Sequence, residues 1–172
     1  PCMEDLLIPE KCILLGDKGT GKTAFYKALQ IDSFFQMLIS KAQKEHLHYQ
    51  VLNITNFDDD NFEFLGFDEL IKDELTIKRF WMFFIWNAIR SRGNYGEKNK
   101  ELLIDLDNFA AQEKIISLLR DADAYSRIEE DLDEINAELR RKDKRLIVTF
   151  DQLDNIVKPF LWNDVIAPLV KI

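Results

Sequence analysis

The sequence predicts an α/β fold: a three-layer core built on a parallel sheet, with a long helical insertion between the second and third strands. Three observations predict it. Short β-prone runs recur at Lys11–Leu15 (KCILL), His48–Ile54 (HYQVLNI) and Leu146–Phe150 (LIVTF). Apolar residues at helical spacing fill much of the sequence between them, and strands alternating with helices imply parallel pairing. The third observation is where the glycines fall. The chain has 172 residues and six glycines, and Gly16, Gly19 and Gly21 share one short window directly after the first strand. Average usage would give roughly twelve glycines in all, so the cluster marks a local backbone requirement.

Taken in order, KCILL is short, apolar and followed by Gly16, which favours a buried strand containing Cys12. Thr23 to about Lys44 carries Phe25, Leu29, Phe34, Met37 and Leu38 at helical spacing. Asp32 and Ser33 can interrupt that run as an internal cap, dividing it into two helices. Tyr49, Val51 and Leu52 supply β-formers to the second strand. Asn56–Asn61, rich in Asp and Asn, reads as a loop. Asp68 is placed to cap a helix containing Leu70, Ile71 and Leu75, and a second helical run, Thr76–Ser91, follows directly.

The longest apolar run, Phe80–Ile89, is interrupted by Asn87 and flanked by Arg79 and Arg90. A membrane span needs about 20 apolar residues, so this run predicts a buried helix whose aromatics are core. Arg92–Lys100 is a surface loop with two glycines and two asparagines, and Leu102–Leu119 is helical in pattern. Ser126–Lys144 is amphipathic through Ile128, Leu132, Ile135 and Leu139. Two heptads are too few to specify a coiled coil, so a helix packed on a sheet is the favoured reading. The RRKDKR tail, Arg140–Arg145, reads either as cations complementing a helix carboxyl end or as a phosphate-binding patch. The whole of 1–172 is read as one domain with residues 56–144 as its mainly helical insertion. Because it opens on Pro1 and closes soon after an acidic motif, it is read as a partial chain.

Bulk composition excludes several classes. A hydrophobic fraction of 47% with 31% charged residues is too apolar for disorder and too charged for a membrane bundle. The net charge of −8 repels phosphate backbones and anionic lipid, so no direct membrane contact is expected and nucleic acid binding needs a local basic patch. Glu4 and Asp5 stand where a secretory signal would be basic. Cys2 and Cys12 form neither a disulfide framework nor a zinc spacing. The expected compartment is therefore cytoplasmic. His46 and His48 read as surface polar residues ahead of a chelating pair, since no cysteine lies near them.

Two motifs carry chemistry. Gly16–Thr23 reads GDKGTGKT and satisfies G-x-x-x-x-G-K-[ST] at each fixed position. Glycines let the backbone curl and approach an oxyanion without a Cβ in the way. The amides of about Gly19 to Thr23 form an anion nest at the start of a helix. Gly16, Lys18, Gly19, Thr20, Gly21, Lys22, Thr23 and Ala24 are thus the candidate ATP-binding residues. Lys22 is placed to reach the β- and γ-phosphates, and Thr23 to offer a hydroxyl to Mg²⁺.

The second motif is RLIVTFDQLD, Arg145–Asp154, in which an apolar strand delivers Asp151 to its carboxyl end. Ligands of doubly wound sheets bind beyond those ends, and an aspartate there can hold Mg²⁺. Thr23 and Asp151 are the candidate metal residues. Lys22, Asp151, Gln152 and Asp154 are the candidate catalytic set. Gln152 can orient a water but cannot take its proton. Asp154 is the nearest carboxylate, and it reads equally as a cap for the next helix. No N-K-x-D motif is present, which disfavours GTP, and Lys18 precedes Lys22 by four, which excludes the ParA-type loop.

GDKGTGKT followed by a hydrophobic strand ending FDQLD resembles the AAA-related and STAND/KAP-like P-loop ATPases. The resemblance implies a P-loop core binding ATP and Mg²⁺, with Lys22 and Thr23 matching the Walker A lysine and hydroxyl. It makes Asp151 the match of the Mg²⁺ aspartate and Asp154 the match of the last acid of the family's DDLD form. Gln152 departs from the pattern, standing where many members carry the acidic residue that polarises the attacking water. The likeness covers about a third of the chain at the motif level. It implies nucleotide state coupled to assembly or signalling, through a homo-oligomer or a carboxyl-terminal effector domain. A nucleotide-bound switch with negligible turnover is the first alternative. A small-molecule kinase is the second, although an acidic helical middle suits it poorly.

Overall fold

The computed structural model describes residues 19–42, 48–54, 74–93, 95, 98–105, 111–151, 153 and 162–170. Its elements in chain order are α1 (Lys22–Ala28), α2 (Asp32–Lys41), β1 (His48–Ile54), α3 (Glu74–Arg92), a short 3-10 turn (Lys100–Leu102), α4 (Ala111–Arg120), α5 (Ala122–Arg141), β2 (Lys144–Phe150) and α6 (Trp162–Val170). They divide into two compact units, one of residues 1–55 and 139–151, the other of residues 56–138 and 152–172.

The first unit contains the sheet. β1 and β2 pair in parallel, with His48 opposite Lys144, Val51 opposite Ile147 and Ile54 opposite Phe150. The two expected strands therefore form and run as predicted. A parallel pair cannot be closed by a hairpin and needs a crossover; here α3, α4 and α5 lie between the two strands in sequence. The expected division of Thr23–Lys44 also occurs, with α1 and α2 separated at residues 29–31. The break is not made by an Asp32 cap. Ile31 holds the N-cap position in extended conformation, and no side chain caps the helix. Phe35, Leu38 and Ile39 of α2 form a core cluster that packs Phe25 of α1, its C-cap Leu29, and Tyr49, Val51 and Ile147 of the strands. Period-two alternation puts Tyr49 and Val51 on one sheet face, and the Phe35 and Tyr49 rings meet edge to face at 6.0 Å.

The second unit is helical. α3 is buried almost all round, through Ile77, Phe80, Trp81, Phe83, Phe84, Trp86 and Ile89, as a central helix must be. The expectation that these aromatics are core holds. Polar groups on α3 find partners in neighbouring segments. Trp81 Nε1 donates to the Val165 carbonyl of α6 at 2.5 Å. The Asn87 amide exchanges two 3.0 Å hydrogen bonds with the backbone of Ile104. α5 begins where Asp121 Oδ1 accepts from the Asp123 and Ala124 amides at 3.0 and 3.1 Å, a side-chain N-cap. The helical reading of Leu102–Leu119 is corrected in part: residues 103–105 are not helical, and α4 starts at Ala111.

The predicted fold class is corrected. Among the described residues there is a two-stranded parallel sheet within a mostly helical chain, not a three-layer parallel-sheet core. The physical reason lies in the middle of the chain. The bulky apolar residues of α3 are buried within a helical unit of their own, instead of serving as an outer layer on a wider sheet. The predicted first strand, Lys11–Leu15, and the predicted Asp68 cap lie outside the described residues.

Candidate functional site

Of the glycine motif, Gly19–Thr23 and the following Ala24 are described; Gly16 and Lys18 lie outside the described residues. Gly19 has φ 86° and Gly21 φ 87°. A side chain at such angles is strained by its own carbonyl, so glycine is required for conformation. Among the described residues, a Cβ built at either position meets no atom within 4 Å, so it is backbone conformation and not crowding by them that calls for glycine.

Gly21 is the N-cap of α1 in left-handed conformation, and its carbonyl accepts from the Phe25 amide at 2.9 Å. Lys22 and Thr23 are the first two residues of the helix, Lys22 half-buried and Thr23 exposed. α1 is anchored by the buried Tyr26, and by Phe25 and Leu29 against the α2 core; Lys22, three and four residues before Phe25 and Tyr26, begins the same helix face. The loop is thus presented by a helix whose inner face is packed.

Asp151 directly follows β2 at its carboxyl end and is half-buried. It belongs to the same compact unit as Gly19–Ala24. Gln152 and Asp154 lie outside the described residues. Among the described residues no group of three or more His, Cys, Asp or Glu side chains gathers as a metal site. The donor set expected for Mg²⁺ is a different one: a threonine hydroxyl, one carboxylate, phosphate oxygens and water. No described helix is long and apolar enough to cross a membrane.

One charged constellation was not singled out in the sequence. Asp131 of α5 is fully buried, and both its oxygens are engaged by Arg90 of α3, Nε to Oδ2 at 2.8 Å and Nη2 to Oδ1. Trp86 Nε1 also donates to Oδ2, at 2.7 Å, and Arg90 Nη1 reaches the Tyr95 carbonyl. The signal was present. Asp131 lies three residues after Ile128 and four before Ile135, on the apolar stripe of its helix. Each strong acceptor and donor is satisfied internally, so this is a structural clamp between α3 and α5.

Comparison of the chain with protein-family models, with curated proteins and with solved structures finds no match.

Proposed function

We propose that this chain is an ATP-binding domain that hydrolyses ATP with Mg²⁺ and couples nucleotide state to assembly or signalling. The observation that carries the reading is the GKT turn. Gly19 and Gly21 hold positive φ with no described atom within 4 Å of where a Cβ would stand, and Lys22 and Thr23 follow at once on the first turn of α1. Asp151, directly after a parallel strand of the same unit, supports it as the acidic ligand beside the Thr23 hydroxyl.

When bound, Mg²⁺ would neutralise charge developing on the phosphates. Lys22 would hold the β- and γ-phosphate oxygens as a point charge, and the backbone amides around Gly21 would orient them. Thr23 and Asp151 would hold the metal, Asp151 through water. Gln152 would orient the attacking water without removing its proton, which favours slow turnover. The test is phosphate release by the purified chain. Lys22→Ala should lower the rate by about 100-fold or more, the scale of removing one transition-state donor; equal hydrolysis by the variant overturns the reading.

The identity of Gln152 supports a second reading, a nucleotide-bound switch without turnover. In that case Mg²⁺-ATP at 100 times its Kd stabilises the fold by about 2.7 kcal/mol while phosphate release stays at background.

A further inference from the structure

The basic run Arg140–Arg145 is not absorbed by the nucleotide reading. Five of the chain's 23 Lys and Arg residues fall within these six positions, on a protein of net charge −8. Arg140 and Arg141 close α5, Lys142 and Asp143 form the turn, and Lys144 and Arg145 open β2. All six residues are exposed, as is the neighbouring His48, which pairs with Lys144 across the sheet. Asp143 takes φ 49°, and its carbonyl accepts from the His48 amide at 3.0 Å, which ties the turn to β1. The turn is therefore a fixed feature of the sheet.

Helix-dipole complementation accounts for Arg140 and Arg141 alone. Lys144 and Arg145 lie on the strand, and neither they nor the two arginines make an ion pair among the described residues. Stable membrane anchoring takes an apolar signal beside a basic one. Among the described residues none lies at this turn: the exposed large apolar residues there, Ile31, Met37 and Leu75, fall outside residues 140–145.

We propose that the α5–β2 turn is a nucleic-acid contact that holds phosphodiester backbone without reading base sequence. Asp151 lies at the opposite end of the seven-residue β2, about 20 Å away at strand rise. The two sites are therefore compatible with simultaneous occupancy, and this inference stands whether or not the chain binds ATP.

The experiment is fluorescence anisotropy with a labelled mixed-sequence 20-base-pair duplex, in parallel with flotation on phosphatidylserine vesicles. The wild-type chain should bind the duplex at 50 mM salt and lose about 3–4-fold in affinity at 200 mM for each counterion released. Arg140→Glu with Arg141→Glu and Lys144→Glu should abolish binding with the circular dichroism spectrum unchanged. Arg140→Lys with Arg141→Lys should keep it within about threefold, since phosphate neutralisation needs charge. Lys22→Ala should leave it unchanged. The proposal is overturned if the triple reversal binds normally, if Lys22→Ala abolishes binding, or if the lysine pair fails to bind. It is equally overturned if polyglutamate, itself anionic, binds in place of the duplex, or if vesicles are bound and the duplex is not.

Discussion

Arg90 and Asp131, 41 residues apart in sequence, face each other as a two-point ion pair, with 4% and 0% of their side chains exposed. A charge taken out of water is tolerated only when paired and fully hydrogen-bonded. Arg90→Ala would leave the Asp131 carboxylate buried with Trp86 as its remaining donor. The expected loss is about 3–5 kcal/mol of unfolding free energy, measured by urea denaturation. Arg90→Met combined with Asp131→Leu removes both charges and should recover most of that loss. Equal loss in the single and double variants would show that packing volume, not charge pairing, is what matters there.

Tyr125 gives a pH dependence. Its side chain is buried, its hydroxyl lies against Met82 Sδ, and the Arg79 guanidinium sits 4.7 Å from its ring centroid. Burial first, and then the neighbouring Glu129 carboxylate, push its pKa from the ordinary 10.0 up to about 12, with Arg79 opposing. The unfolded chain loses this proton near pH 10 and the native chain near 12. Stability from this group is therefore complete below pH 10 and falls as pH rises towards about 12. Thermal melts between pH 9 and 12 should show a decline that Tyr125→Phe reduces. An unchanged profile in the variant would assign the decline to other groups.

Glu101 acts at the other end of the scale. Its hydrogen bond from Arg127 holds its carboxyl below the ordinary 4.5. The native state keeps the proton off where the unfolded state takes it up, so the contribution is present above the unfolded pKa and is lost as pH falls through the native one. Both partners are exposed, and solvent screening keeps the effect small. Glu101→Gln should leave the neutral-pH melt nearly unchanged and flatten the first part of the acid transition; a large fall in the melting temperature at pH 7 would contradict this.

Gly21 separates backbone conformation from side-chain contact. Its φ of 87° falls where a Cβ is strained, while among the described residues no atom lies within 4 Å of the position that Cβ would take. Gly21→Ala should cost about 1–2 kcal/mol in stability from strain alone, read by urea denaturation. It should also weaken Mg²⁺-ATP binding by more than tenfold. Normal nucleotide affinity in a folded Gly21→Ala chain would remove the glycine turn from the binding account.

How far the sequence carries can be judged from particular residues. LIVTF is legible as a strand because β-branched and aromatic side chains suit a pleated, partly buried surface, and Leu146–Phe150 is indeed within β2. The α1–α2 break was legible in place but not in cause, because the N-cap proved to be Ile31. The three-layer sheet failed because local pattern shows that Phe80–Ile89 is buried without showing what buries it; a helical core and a sheet face call for the same apolar residues. The Arg90–Asp131 clamp needed the third dimension, although the place of Asp131 on an apolar stripe was visible. At the candidate site, the glycine cluster was legible as a backbone requirement, which the positive φ of Gly19 and Gly21 bears out, and Asp151 was legible as the residue that follows the strand.

The central claim is that Gly19–Thr23 forms a nucleotide-phosphate cradle, and isothermal titration of the folded chain with Mg²⁺-ATP tests it most directly. The expected result is saturable binding at one site per chain, weakened by at least about tenfold in Lys22→Ala, with the variant's melting temperature in the absence of nucleotide unchanged. Absence of binding to the folded wild-type chain, or equal affinity in Lys22→Ala, would contradict the account.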